Sequence, residues 1–399
     1  MRPWHFVLAF GLVSLLADMV YEGARSIIGP YLATLGASAT VVGLVAGAGE
    51  FIGYGLRVVS GYAVRRTRHY WTWTIVGYAL TVLSVPLIGA TGVLAPALLL
   101  YGTERLGKAV RAPAKDTLLS YASARTGRGR AFGVHQALDQ TGAVLGPLLL
   151  AAVLSWRDGD YRLAFGVLAV PGVLVLLLLL WLRHRVPDPL LYEADDAERA
   201  PSPAATPAPA DAAVAERPRE PLPARFWQYV AAVAVLSCGV ASFPLLAFHA
   251  ESEGMVTAAQ VPLLFVVAML VDGLAGLVVG HQYDVRGPRV LLAVPVAASL
   301  ALVAFTGSTG LLWAGIAVWG VVNGVLDSTV KAVVTGLVPG PSRAVAFGWL
   351  AFVRGAGLLV GGGLLGAAYD QGPGVAIGVA LAANAVGLVA LTVVLRRLR

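Results

Sequence analysis

VLVLLLLLWL, residues 173–182, offers no side-chain hydrogen-bonding group apart from the indole N–H of Trp181. Extended to 162–183, the run reaches the roughly 20 apolar residues that an α-helix needs to cross about 30 Å of hydrocarbon. The period-2 alternation of a transmembrane barrel is absent, and an uninterrupted apolar tract suits only a helix, which satisfies its own backbone.

Outward from that stretch the same pattern recurs along 399 residues that are 58% hydrophobic and 13% charged, with a mean hydropathy of +0.77. An ordinary soluble domain is roughly a quarter charged, so composition points to an integral membrane protein. Apolar runs fall at 5–32, 39–64, 71–90, 93–121, 129–154, 162–183, 225–249, 257–282, 288–306, 309–336, 343–368 and 374–395. These predict an all-α membrane protein with twelve transmembrane helices. Residues 186–224 break the pattern with Pro, Ala and scattered charge, the composition of a linker. The expected organisation is a six-helix bundle over 1–185, the linker over 186–224 and a second six-helix bundle over 225–399.

The breaks alternate in charge. Arg65, Arg66 and Arg68; Arg125, Arg128 and Arg130; Arg183 and Arg185; Arg286 and Arg289; Arg343; and Arg396, Arg397 and Arg399 all belong to one side if the N-terminus does. HAESEG (249–254), GSTG (307–310) and WRDGDYR (156–162) belong to the other. The positive-inside rule then puts both termini and the linker in the cytoplasm. It also accounts for the net charge of +7 without a nucleic-acid partner. The one cysteine, Cys238, lies within a predicted helix, so no intrachain disulfide is expected. The first apolar run is too long for the core of a cleaved signal, and no small-residue cleavage site follows it at the right distance.

The two halves share a pattern. Ala-Phe-Gly at 131–133 is followed by Gly142 and Gly146, and Ala-Phe-Gly at 346–348 by Gly357 and Gly361, each 215 residues on. Shared order, spacing and helix number mark the fifth and eleventh helices as counterparts in a duplication.

On these residues the chain resembles the major facilitator superfamily over essentially its full length. G-H-Q-Y-D-V-R-G-P-R (280–289) matches that family's loop motif at Gly280, Asp284, Gly287 and Arg289. The resemblance implies a latch between the halves on the cytoplasmic side. The first-half copy, G-Y-A-V-R-R-T-R-H-Y (61–70), departs from it, with Arg65 at the acidic position. In the fifth helix Gly133, Gly142, Gly146 and Pro147 resemble the antiporter motif of the family's exporters, although Leu150 and Ala151 replace its final glycines. Small residues for packing and a proline kink would serve any function at that place. The motifs DMVYEGARSIIGPYL (18–32), RLGKAVRAPAKD (105–116) and RAFGVHQALDQTGAVLGP (130–147) are similar to those of bacterial predicted efflux permeases. Arg105 occupies the place of a proposed proton-transfer arginine.

The strongest functional signal is charge at bilayer depth. Glu104, Lys108, Arg111 and Lys115 recur at i, i+4, i+7 and i+11 on one helical face, with Arg105 beside them. Asp18, Glu22 and Arg25 repeat the spacing in the first helix with Tyr21 alongside, and Glu50 and Arg57 lie seven apart in the second. His135 and Asp139 share a face of the fifth helix. The second half adds Asp272, Asp327, Lys331 and Arg354. Each charge facing lipid costs a few kcal/mol or more, so these faces should meet a watery cavity or one another. The 215-residue offset relates Asp139 to Arg354 and Asp116 to Lys331, with signs reversed, which suits ion pairs that rearrange across a shared cavity; static pairs within each half suit it too.

A carboxylate that alternates between wet and dry, or paired and unpaired, changes its proton affinity with conformation. Asp18, Glu22, Glu50 and Asp139 are therefore the expected proton-coupling groups. Tyr21, Arg25, Tyr54, Arg57, Glu104, Arg105, Lys108, Arg111, His135, Asp327, Lys331 and Arg354 are the expected cavity and charge network, with Tyr54, Trp319 and Trp349 as candidate aromatic walls. The reading is a monomeric, multi-pass secondary transporter of a bacterial inner membrane, moving a small molecule by alternating access. The proton gradient supplies the energy, with no cofactor or metal, and export is favoured. An uptake symporter uses the same residue types. A membrane-embedded enzyme built on His135 and Asp139 is the remaining alternative, without HExxH, GxSxG or a Walker loop to support it.

Overall fold

The computed structural model describes residues 1–123, 128–188, 222–339 and 342–397. Arg125, Arg399 and most of the proline-rich linker fall outside the described residues.

The first half is helical throughout: α1 (Pro3–Thr34), α2 (Ala39–Thr67), α3 (Tyr70–Thr91), α4 (Leu94–Ser123), α5 (Arg128–Trp156), α6 (Tyr161–Val167) and α7 (Ala169–Arg185). Local chemistry sets the boundaries. Ser38 Oγ accepts from the Val41 amide and Asp160 Oδ1 from that of Leu163, each satisfying an orphan donor at a helix start. Gly92 closes α3 in the left-handed region at φ +59°, which a glycine enters without steric cost. α6 and α7 form one apolar span with a slight break at Leu168.

The second half comprises α8 (Ala224–Cys238), α9 (Phe243–Ser252), α10 (Val261–Arg286), α11 (Ala293–Ala301), α12 (Thr309–Leu337), α13 (Arg343–Asp370) and α14 (Pro373–Arg397). Two sequence expectations are corrected. The run at 225–249 is two helices, because Gly239–Ser242 leaves helical geometry between α8 and α9. The run at 288–306 begins and ends in 3₁₀ turns, Gly287–Leu292 and Leu302–Phe305, around α11. Ten of the described stretches are long and apolar enough to cross a membrane; one of them, Val261–Phe305, contains both α10 and α11. α4 is 30 residues long but carries its charges in mid-helix.

Buried apolar residues fall into two clusters. One joins Phe6 through Val186, the other Phe226 through Leu395 with Ala39. Large side chains such as Leu99 and Leu277 point outward from the bundle, 73% and 76% exposed. Within each half the closest approaches use glycine. A Cβ on Gly142 would meet the backbone of Leu15, and one on Gly146 that of Met19, where α5 crosses α1. A Cβ on Gly357 would meet the backbone of Ala234, and one on Gly361 that of Cys238, where α13 crosses α8. The glycines are 215 apart and their partners 219 apart, so the same helix crossing is built twice from the same residue type.

The halves meet along α2 and α13. Gly43 and Gly47 face Gly362, Leu358 and Gly366 so closely that the backbones touch. At the end of the bundle away from the chain termini, Gly29 of α1 lies against the Pro244 backbone of α9, where an added Cβ would stand 2.8 Å from the carbonyl carbon. Two polar contacts cross the halves at that same end. Asp370 at the end of α13 accepts from the amides of Ala39 (2.9 Å) and Thr40 (3.0 Å) and from the Thr40 hydroxyl, capping α2 from the other half. The Tyr161 hydroxyl donates to Glu251 Oε2 at 2.6 Å. This end, read as the outer one, is closed. At the opposite end Asp284 of the 280–289 motif is exposed, and Gly287 turns the chain at φ +65°.

Candidate functional site

Between the halves, at mid-depth, lies a cavity of about 240 Å³. α1 contributes Asp18, Tyr21, Glu22 and Arg25; α2 Glu50 and Tyr54; α4 Lys108; and α5 Gln136, Asp139 and Gln140. The facing wall is made by residues 240–242 between α8 and α9, Phe243 at the start of α9, Met269 and Asp272 of α10, Trp319, Asn323 and Asp327 of α12, and Arg354 of α13.

The first-half wall is a chain of alternating charge. Lys108 Nζ lies 3.9 Å from Glu22 Oε1, and Arg25 reaches Glu22 at 3.5 Å and Glu50 at 3.2 Å. Arg105 reaches Glu50 at 3.7 Å and Glu104 at 2.9 Å. Burying one ion costs several kcal/mol, and partners on both sides offset that. Arg105, only 1% exposed, is the innermost member, with its guanidinium 5.0 Å from the Tyr101 ring centroid. Arg111 is held by aromatic faces, 4.2 Å from Tyr78 and 5.3 Å from Tyr21, and Lys108 sits 4.1 Å from the Tyr21 centroid.

The second-half wall depends on the break in helical geometry at Gly239–Ser242. Backbone groups freed there lie at membrane depth, where no bulk water compensates them. The Trp319 indole N–H donates to the Ala241 carbonyl at 2.7 Å, and Asn384 Nδ2 to that of Gly239 at 3.2 Å. Two polar side chains thus let non-helical backbone line the cavity. Arg354 pairs with Asp327 at 3.0 Å.

The expected site residues divide accordingly. Asp18, Tyr21, Glu22, Arg25, Glu50, Tyr54, Lys108, Asp139, Asp327 and Arg354 line the cavity. Glu104, Arg105 and Arg111 stand behind its wall. His135 faces Lys115 Nζ at 3.2 Å and Asp139 at 3.7 Å, a polar contact between α4 and α5. Arg57 lies outside the lining, over Tyr54 at 5.3 Å. Lys331 and Asp116 are exposed and away from it, so the expected Asp116–Lys331 relation plays no part in the cavity. Trp349 packs on Trp227 and Phe352 instead of lining it. Among the described residues every ion pair lies within one half; across the cavity, cations meet rings, with Arg354 over Tyr54 at 5.5 Å and Arg25 over Phe265 at 5.9 Å. In this conformation the pairs lie within the halves.

Gln136, Gln140 and Asn323 escaped the sequence reading because they carry no charge. The signal for the two glutamines was positional: 136, 139, 140 and 143 form one helical stripe containing Asp139.

Two bundles, each repeating the same glycine crossing, with a polar cavity between them closed at one end, have the architecture of a transporter. The family model described as Major Facilitator Superfamily matches residues 10–362. The chain belongs to the Major Facilitator Superfamily. An uncharacterized protein of Mycobacterium tuberculosis is 46% identical over 390 residues, covering 98% of this chain and 92% of that one; one of Mycobacterium bovis matches equally. An uncharacterized MFS-type transporter of Methanocaldococcus jannaschii is 28% identical over 183 residues, 46% of each chain. Among solved structures, the nucleoside transporter NupG superposes with a TM-score of 0.71 at 15% identity, covering 98% of both chains. The peptide transporter POT in complex with sulfate gives 0.72 at 15% identity, covering 98% of this chain and 94% of that one. At such identities the likeness concerns fold. This Major Facilitator Superfamily member is thus a multi-pass, all-α membrane protein and a secondary transporter.

Proposed function

We propose that this transporter is a proton-coupled exporter of a small molecule, working by alternating access in the bacterial inner membrane with both termini in the cytoplasm. The observation that carries the reading is the acid-rich cavity between the halves, closed at the end away from the termini. Asp18, Glu22, Glu50 and Asp139 face a space that must be wet in one state and sealed in the other, so their protonation follows the conformation. Glu22 and Asp139 are the first carriers, with Arg25 and Lys108 as the cations whose distance from Glu22 sets its charge. Gly142 and Gly146 support export through resemblance to the exporters' helix-five motif, and here they hold α5 against α1 at the depth of Asp18.

The test is a proteoliposome assay with an imposed pH gradient and internal pyranine, screened over dyes, amphipathic drugs and metabolites. The unaltered protein is expected to move protons against substrate. Glu22→Gln and Asp139→Asn should retain substrate exchange while losing its dependence on the gradient. Full coupling in both variants would refute the assignment; substrate moving with protons in the same direction would make the chain a symporter.

A further inference from the structure

Acids outnumber bases around the cavity. Six carboxylates, Asp18, Glu22, Glu50, Asp139, Asp272 and Asp327, line it with three cations, Arg25, Lys108 and Arg354, in a protein whose net charge is +7. All three cations are engaged, Arg25 and Lys108 with Glu22 or Glu50 and Arg354 with Asp327. Three carboxylates are not: Asp139, whose one close contact among the described residues is the His135 ring at 3.7 Å, and two others. Asp18, on α1, is 6% exposed and lines the cavity, and among the described residues no hydrogen bond or ion pair reaches it. The nearest neighbouring cation on α4, Arg111, is held over the rings of Tyr78 and Tyr21. Asp272, on α10, lines the facing wall, likewise with no such partner among the described residues. A carboxylate without a partner at this depth is costly, and Asp18, buried, and Asp272, half-buried, face the same space from opposite halves.

The rings are the second observation. Among the described residues, the cations that cross between the halves lie on aromatic faces, Arg354 on Tyr54 and Arg25 on Phe265. Phe243 and Trp319, 5.7 Å apart in the wall beside Asp272, carry no cation. A positively charged group with an apolar body finds there its counter-ions and, in Trp319, a ring at the cavity wall; Phe243, 0% exposed, packs against that ring.

We propose that the transported molecule is a small organic cation, an amine or quaternary ammonium, held between Asp18 of the first half and Asp272 of the second, with its apolar part toward Trp319. The bound cation supplies the cross-half ion pair that the protein's own side chains lack, so that it draws the two walls together when it occupies the cavity. At about 240 Å³ the space lies just below the roughly 300–1,000 Å³ of sites for drug-sized ligands, which suits a small amine. The inference rests on the transporter reading but not on export or proton coupling.

Equilibrium binding to the purified full-length protein in nanodiscs, with no gradient present, tests it independently of transport direction. The probes are tryptamine and benzyltrimethylammonium as cations, tryptophol as the neutral relative, tryptophan as the zwitterion and indole-3-acetate as the anion. The cations are expected to bind at least about tenfold tighter than the other three, and Asp18→Asn and Asp272→Asn each to weaken them by about tenfold or more. Tryptophol binding, weak as it is, should not move. Should a variant lose its thermal transition, carbodiimide labelling of the unaltered protein, mapped by mass spectrometry, replaces it: tryptamine is expected to protect Asp18 and Asp272 and not the exposed Asp284. Tighter binding of tryptophan or indole-3-acetate, binding of neither cation, cation binding unchanged in the double variant, or labelling of Asp18 and Asp272 indifferent to tryptamine would each overturn the proposal. Export failing in proteoliposomes while cation binding persists would overturn only the direction and coupling.

Discussion

The Asp370 cap on α2 belongs to the other half of the molecule, and its removal should change the balance of conformations more than the stability of either bundle. Asp370 satisfies the Ala39 and Thr40 amides and the Thr40 hydroxyl, while Ser38 already serves Val41 within α2. Losing an N-cap costs about 0.5–2 kcal/mol. The site is exposed, so water recovers part of that, and about 1 kcal/mol is the appropriate figure for Asp370→Ala. Since the contact exists only while these ends of the two halves are together, the loss falls on that state and shifts the open-to-closed ratio about fivefold. Spin labels at two exposed outer positions, Val93 in the first half and Leu311 in the second, report the separation by pulsed electron resonance. The long-distance population should grow about fivefold in Asp370→Ala and less in Thr40→Val, which keeps both amide contacts. A distance distribution unchanged by Asp370→Ala would refute the argument that this cap holds the outer end.

Two further substitutions probe how charge and irregular backbone are tolerated at depth. Arg105→Ala leaves Glu104 without its partner behind the wall and Glu50 with Arg25 alone; a loss of about 3–5 kcal/mol is expected, read as an earlier thermal transition in detergent, with Arg105→Lys intermediate because an ammonium lacks the fork that meets both carboxylates. Asn384→Leu removes the donor to the Gly239 carbonyl; an expected loss of about 1–3 kcal/mol should appear in the same scan, accompanied by faster amide exchange at residues 239–242.

What the sequence made legible was governed by period and charge. The apolar runs marked the helices, because hydrocarbon permits no other backbone solution. Glu104, Lys108 and Arg111 announced a non-lipid face by their spacing, yet not which of them would reach the cavity; that depends on how far α4 is rotated against α3 and α2. Arg105 and Arg111 turned into the wall, while Lys108 alone of these faces the opening. Residues 239–242 were read as helix because Gly-Val-Ala-Ser is apolar enough to continue one, and the side chains that satisfy the break, Trp319 and Asn384, are 77 or more positions away. The acids of the second half were visible as charges, but that Asp272 faces the cavity while Lys331 faces solvent is a matter of packing.

The confinement of ion pairs within each half bears on what it takes to switch states. Among the described residues, rocking one body against the other separates no pair of opposite ions, so the transition carries little Coulombic toll from them and should be nearly indifferent to the salt concentration of the medium. The resistance lies instead in the Asp370 cap and in the seam of α2 and α13, where main chain rests on main chain at Gly43, Gly47, Gly362 and Gly366 and the Phe51 and Phe352 rings meet. Such a contact acts as a pivot: stiff in its spacing, free in its angle, and sensitive to a single added methyl group.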